Sequence, residues 1–176
     1  MKNVKQMMST TVLALALITV TACKNETKNA VEVTETPEVV ETQTPQVALQ
    51  FKDAQVGAAF QHYIHLKTAL VNSDAEEAKS GARMLAETNT DEHVKALAVK
   101  ISETDDIKVQ RELFSELTTA LKPILASNIS SGEIYEQHCP MALQGGANWF
   151  AKEKEVNNPY YGDAMLHCGV VQETLN

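Results

Sequence analysis

Two short clusters near the end of the chain carry its most reactive side chains: His138, Cys139 and Met141 in one, Met165, His167 and Cys168 in the other. Thiolate, thioether and imidazole together select soft or borderline metals such as Cu(I), with Zn(II) a competitor that uses Cys and His but rarely Met. Beyond Cys23 the chain has one other Met, Met84, and no further Cys. The pattern nominates Cys139, Met141, Met165 and Cys168 as ligands, with His138 or His167 as a further one. The alternative is a Cys139–Cys168 disulfide, the first reading of an even Cys pair outside the cytoplasm. It would close a loop of about thirty residues, worth roughly 3.5 kcal/mol in the chain-entropy model. Met141 and Met165 would then fill gaps beside Trp149 in an interaction module without metal. Oxidation of the thiols would also remove both thiolates from a metal, so the two readings are compatible with a redox-switchable site.

No Gly-rich phosphate loop, Gly-x-Ser-x-Gly elbow, His-Glu-x-x-His pair or Cys-x-x-Cys motif occurs, and the chain is not read as an enzyme. Adjacent His138 and Cys139 would point to opposite faces of a strand, which argues against a base-activated thiol. His62 and His65 are three apart on one helix face but bring no third ligand, and are read as solvated, as is His93.

The chain begins with Lys2 and Lys5, an apolar run from Val12 to Val20, and Val20-Thr21-Ala22-Cys23. The run is too short to span a bilayer and has the form of a secretory signal. The tetrad is similar to a bacterial lipobox, so residues 1–22 are read as a lipoprotein signal peptide and Cys23 as the lipidated residue. Residues 24–50 repeat Glu, Thr and Val around Pro37 and Pro45, the composition of a disordered tether, although the Val-Glu-Val-Thr alternation also reads as a strand. The expected location is the outer membrane facing the periplasm, with membrane contact through the lipid alone. With 23 acidic against 15 basic residues, the protein has no electrostatic reason to bind nucleic acid.

The elements that must position the clusters are mostly helical. Asp53 is a candidate N-cap before Val56, Ala59, Phe60, Tyr63, Leu66 and Leu70, which recur at helical spacing. Asn72-Ser73 ends that helix, with Ser73 capping a second along Ala75, Ala78, Ala82 and Leu85, whose small side chains suggest a close neighbour. Val94, Leu97, Ala98 and Ile101 mark a third. Asp105 or Asp106 caps a fourth through Ile107, Leu113, Phe114, Leu117 and Leu121, which Pro123 ends or kinks. The expected fold is mainly α: an antiparallel four-helix bundle followed by a small irregular C-terminal module with a short β-hairpin, together residues 51–176. In the module, Ile134 to Cys139 reads as a strand, Gly145-Gly146 and Asn157-Asn158-Pro159 as turns, and Cys168 to Val171 as a second strand or a final helical turn. If the two segments pair, the cysteines come side by side.

The chain resembles the small bacterial exported family catalogued as domain of unknown function 3347, from about Phe60 to Leu175. The resemblance rests on Ala69-Leu70-Val71, Asp106-Ile107, Gln110-Arg111, Phe114, Cys139-Pro140-Met141-Ala142, Gly146-Ala147, Trp149, Asn158-Pro159-Tyr160, Gly162, Met165 and Cys168-Gly169. It implies a helical domain, often lipid-anchored, that also occurs fused to membrane-fusion subunits of heavy-metal efflux pumps. A heavy-metal efflux pump component is the implied partner, and copper or silver handling the implied role.

Overall fold

The computed structural model describes residues 47–176, so the signal peptide, Cys23 and all but the end of the tether lie outside the described residues. Four helices come first, α1 (Ala54–Val71), α2 (Ala75–Thr88), α3 (Glu92–Ser102) and α4 (Ile107–Asn128), preceded by a two-residue strand β1 (Gln50–Phe51). Strands β2 (Ile129–Ser131), β3 (Ile134–Cys139), β4 (Ala147–Ala151) and β5 (Val170–Leu175) follow, with a short 3-10 turn at Gly162–Ala164. None of the helices among the described residues is long and apolar enough to cross a membrane.

Each helix begins at an aspartate whose carboxylate accepts from free N–H groups of the first turn: Asp53, Asp74, Asp91 and Asp106. Asp74, rather than Ser73, therefore caps α2. Ser73 adopts a left-handed backbone (φ 55°) between the helices, and its hydroxyl is engaged by Arg111 Nη2 at 2.9 Å. Pro123 neither ends nor breaks α4, which continues to Asn128. Pro123 is exposed, so the carbonyl it leaves without an N–H partner can turn to water. The α4 end is closed instead by Lys52, whose backbone N–H reaches Asn128 O at 2.8 Å and whose Nζ reaches Ser127 O at 2.9 Å.

Successive helices pack on one another. The expected close approach is made at Gly81, where a Cβ would lie 2.8 Å from Leu66 N. Gln50, the last residue assigned to the tether, is the first of β1, which pairs antiparallel with β2.

The C-terminal region holds more sheet than a hairpin. A three-stranded antiparallel sheet runs in the order β4-β3-β5. Trp149 and Phe150, read from sequence only as apolar anchors, lie on β4. That strand is buried on nearly every residue and so lacks the period-two alternation that marks a half-buried strand. Rings join the sheet to the helices in a continuous series: Phe51–Phe60 at 5.6 Å, Phe60–Tyr63 at 6.1 Å, Tyr63–Phe114 at 5.1 Å, Phe114–Tyr160 at 5.9 Å and Tyr160–Trp149 at 6.0 Å. Helices and sheet thus share one apolar core.

Tyr63 is the polar joint in that core. Burial holds its phenol well above the ordinary range, so it stays protonated and can donate. It accepts from Phe150 N on β4 at 3.0 Å and is left to donate to Thr118 Oγ1 on α4 at 2.8 Å. Tyr63→Phe strands both partners without removing ring volume, so thermal or denaturant unfolding should show a loss of about 1–3 kcal/mol. A loss below about 0.5 kcal/mol would contradict this role for the hydroxyl.

Candidate functional site

β5 lies antiparallel beside β3 with His138 opposite Val170. This register carries Cys168, just before β5, to Cys139 at the end of β3, and their Sγ atoms lie 2.9 Å apart as free thiols. Cys139 is fully buried and Cys168 partly so. The hydrogen bond with Cys139, together with burial, holds the Cys168 thiol above its ordinary range. Two sulfurs on a tetrahedral ion at about 2.3 Å would be roughly 3.8 Å apart, so the pair must open before such an ion fits between them.

Each Cys shares a tight turn with one Met. Ala142 N donates to Cys139 O at 3.2 Å around Met141, and Cys168 N donates to Met165 O at 3.0 Å. Met141 is 56% exposed and Met165 partly buried. The phenol of Tyr161, four residues before Met165, donates to Met141 O at 2.5 Å. The four sulfur-bearing residues of the predicted ligand set therefore lie on two turns, whose cysteines meet.

The two histidines are placed differently. Alternation along β3 turns His138 away from the face of Cys139, and its Nδ1 lies 2.5 Å from Asn148 Oδ1, directly across on β4. Asn148 Nδ2 donates to Glu136 Oε1 at 2.7 Å, and Lys122 on α4 bonds Glu136 Oε2 at 2.6 Å and Glu173 Oε2 at 2.7 Å. An ionised carboxylate only accepts, so the Asn148 amide must present its oxygen to His138, and Nδ1 carries the hydrogen. Neutral His138 then has a bare Nε2, beside Gly146, where a Cβ would sit 2.9 Å from that nitrogen. His167 is exposed, and its Nδ1 donates to Val156 O at 2.8 Å. The opposite strand faces thus keep His138 apart from the thiols.

Among the described residues no group of three or more His, Cys, Asp or Glu side chains is gathered to hold a metal ion. His65 Nε2 pairs with Glu77 Oε1 at 2.5 Å, and among the described residues no third ligand joins it. A cleft of about 350 Å³ bounded by Asp53, Asp91, Val56 and Ile124 includes none of the six candidate ligands. Sequence reasoning missed the Lys122–Glu136–Asn148 chain. The available signal was an acidic residue, Glu136, inside a strand whose neighbours are buried, where it needs two partners.

The family described as "Protein of unknown function (DUF3347)" matches residues 59–132. The matched stretch runs from α1 to just past β2 and stops before Cys139, so it is shorter than the expected span to Leu175. No curated protein and no solved structure matches the chain.

The chain through Lys122 makes stability depend on pH at both ends. Hydrogen bonds to Glu136 and then Glu173 raise the Lys122 pKa, and Lys122 lowers that of Glu173. The lowered carboxyl contributes stability above its unfolded pKa of about 4.3, lost as pH falls through the folded value; the raised amine contributes below about 10.4, lost as pH rises. The contribution of this network, read as the difference in melting temperature between the parent and Lys122→Met, should therefore be flat between about pH 5 and 10 and shrink on both sides. The substitution should cost about 1–3 kcal/mol at pH 7 by orphaning buried Glu136, discounted because Lys122 is itself partly exposed.

Proposed function

Because the chain belongs to the DUF3347 family, whose description names no activity, we propose a function from the site itself: this is an exported, lipid-anchored protein that binds Cu(I). Cys139 and Cys168 supply thiolates, and Met141 and Met165 supply thioethers. The observation that carries this reading is the meeting of two free thiols at 2.9 Å, each in a turn with a methionine. A sulfur-only donor set suits a soft monovalent ion better than Zn(II), which lacks an affinity for thioether. His167, exposed with Nδ1 engaged, is the remaining candidate for a further ligand. His138 serves the sheet instead.

Four helices, taken as an antiparallel bundle, act as the rigid body on which the sheet is mounted. Cys23 anchors the protein to the outer membrane on its periplasmic side, and the residues after it form the tether. Binding requires loss of the Cys168 proton, so acid should oppose loading. The role is buffering or delivery to a heavy-metal efflux component, without catalysis and without nucleic acid.

A second reading is favoured by one specific observation: the sulfurs stand closer than a tetrahedral ion would hold them, and no third His, Cys or carboxylate is at hand among the described residues. On that reading Cys139 and Cys168 are a disulfide that fastens β5 in an interaction module. The two readings separate in an anaerobic titration of the reduced full chain with Cu(I) against a chromophoric chelator. The copper reading expects one equivalent withdrawn, lost on alkylation of both cysteines, and held at least about tenfold more weakly by Met141→Leu/Met165→Leu. If the chelator keeps the copper, or the methionine variant binds as the parent does, this ligand set is wrong.

A further inference from the structure

Cys168 lies at the end of the long connection between β4 and β5, where chain entropy opposes delivery of a side chain to one point. Asn158 constrains that connection from inside. It is fully buried, and its backbone N–H donates to Leu166 O at 2.8 Å. Its Nδ2 donates to Cys168 O at 2.8 Å, while its Oδ1 accepts from Tyr160 N at 2.8 Å. Both ends of one carboxamide are therefore committed, one to the turn at its own position and one to the cysteine ten residues later. Gly169 completes the placement: at φ 147° it takes a conformation that side chains rarely adopt, and a Cβ there would lie 2.8 Å from Trp149 Cη2 and 2.9 Å from His138 O. Cys168 is thus held through its own carbonyl on one side and through a close approach to β3 and β4 on the other.

We infer that Asn158 is the positioning residue of the thiol pair: by holding the Cys168 carbonyl it fixes the approach of Cys168 to Cys139. Asp, the isosteric replacement, accepts but cannot donate, so it keeps the Tyr160 contact and loses the one to Cys168. Ser does the same without a charge, since its hydroxyl can still accept from Tyr160 N in the same kind of turn. This deepens the proposed function, on whose thiol pair it rests, yet it is tested without metal.

The test is equilibration of the full chain with oxidised and reduced glutathione. One oxidised glutathione takes two electrons and two protons from the Cys139 and Cys168 thiols, giving one protein disulfide and two reduced glutathiones. Asn158→Asp should shift this equilibrium toward the dithiol by about fivefold or more, the loss expected for one buried hydrogen bond, and Asn158→Ser should shift it in the same direction. The control is Tyr63→Phe, which removes the phenol's bonds to Thr118 and to Phe150 N, neither of which involves a cysteine. It should leave the constant within about twofold even as it lowers the melting temperature. If Asn158→Asp does not fold, Asn158→Ser alone carries the comparison. The inference is overturned if the Asn158 variants stay within about twofold of the parent, or if Tyr63→Phe shifts the constant as far as they do. Such a result leaves the copper titration untouched, and a failed copper titration leaves this constant untouched.

Discussion

The C-terminal half of the structure depends on β3 being an interior strand. Paired on one side with β4 and on the other with β5, it must bury Glu136, which is only 2% exposed. A buried carboxylate is costly unless both oxygens are met. Lys122 from α4 takes one and Asn148 from β4 the other, so the charge that could destabilise β3 also registers it against helix and neighbouring strand. With that register fixed, the pairing of β5 follows, and with it the meeting of Cys139 and Cys168.

The helices contribute by being stiff and by sharing their core with the sheet. Gly81 lets α2 approach α1 at the level of Leu66, and the ring series from Phe51 to Trp149 continues from there without a break into the sheet. Tyr63 ties the outer edge of β4 to α1, so an edge that would otherwise offer unpaired N–H groups is covered. Arg111 adds a clasp: its guanidinium, with its pKa lowered by burial, joins Leu70 O at 3.0 Å to Pro159 O at 2.8 Å. The loop that carries Met165 and Cys168 is therefore mounted on the same helices that support β4. Chemistry at the exposed end of the sheet is placed by packing well behind it.

The helical half was legible because its signals are local. Asp before an apolar stripe of period 3.6 locates the start of α1 and, as one of two neighbouring aspartates, of α4, while α3 is legible from its stripe alone. At α2 the expected cap is Ser73 and the observed one Asp74, since the Ser73 hydroxyl is drawn away by an arginine 38 residues distant. Pro123 does not end α4; the sequence does not tell whether a freed carbonyl faces core or water. The sheet was harder to read. β4 carries apolar residues on both faces, β1 is only two residues long, and the commitment of Glu136 depends on Lys122 and Asn148. The cysteine clusters and the strand at Ile134–Cys139 were visible, as was the rule that separates His138 from Cys139. The second use of Asn158 was not, because a turn asparagine looks the same whether its amide meets water or a distant carbonyl.

The central claim is that the paired thiols, with the methionines of their turns, form a soft-metal site. It is tested most directly by copper K-edge X-ray absorption on the reduced full chain loaded with one equivalent of Cu(I). A first shell of sulfur alone, altered when Met141 and Met165 become Leu and lost when Cys139 and Cys168 become Ser, is the expected result. A shell dominated by nitrogen or oxygen, or one indifferent to the two cysteines, would contradict it.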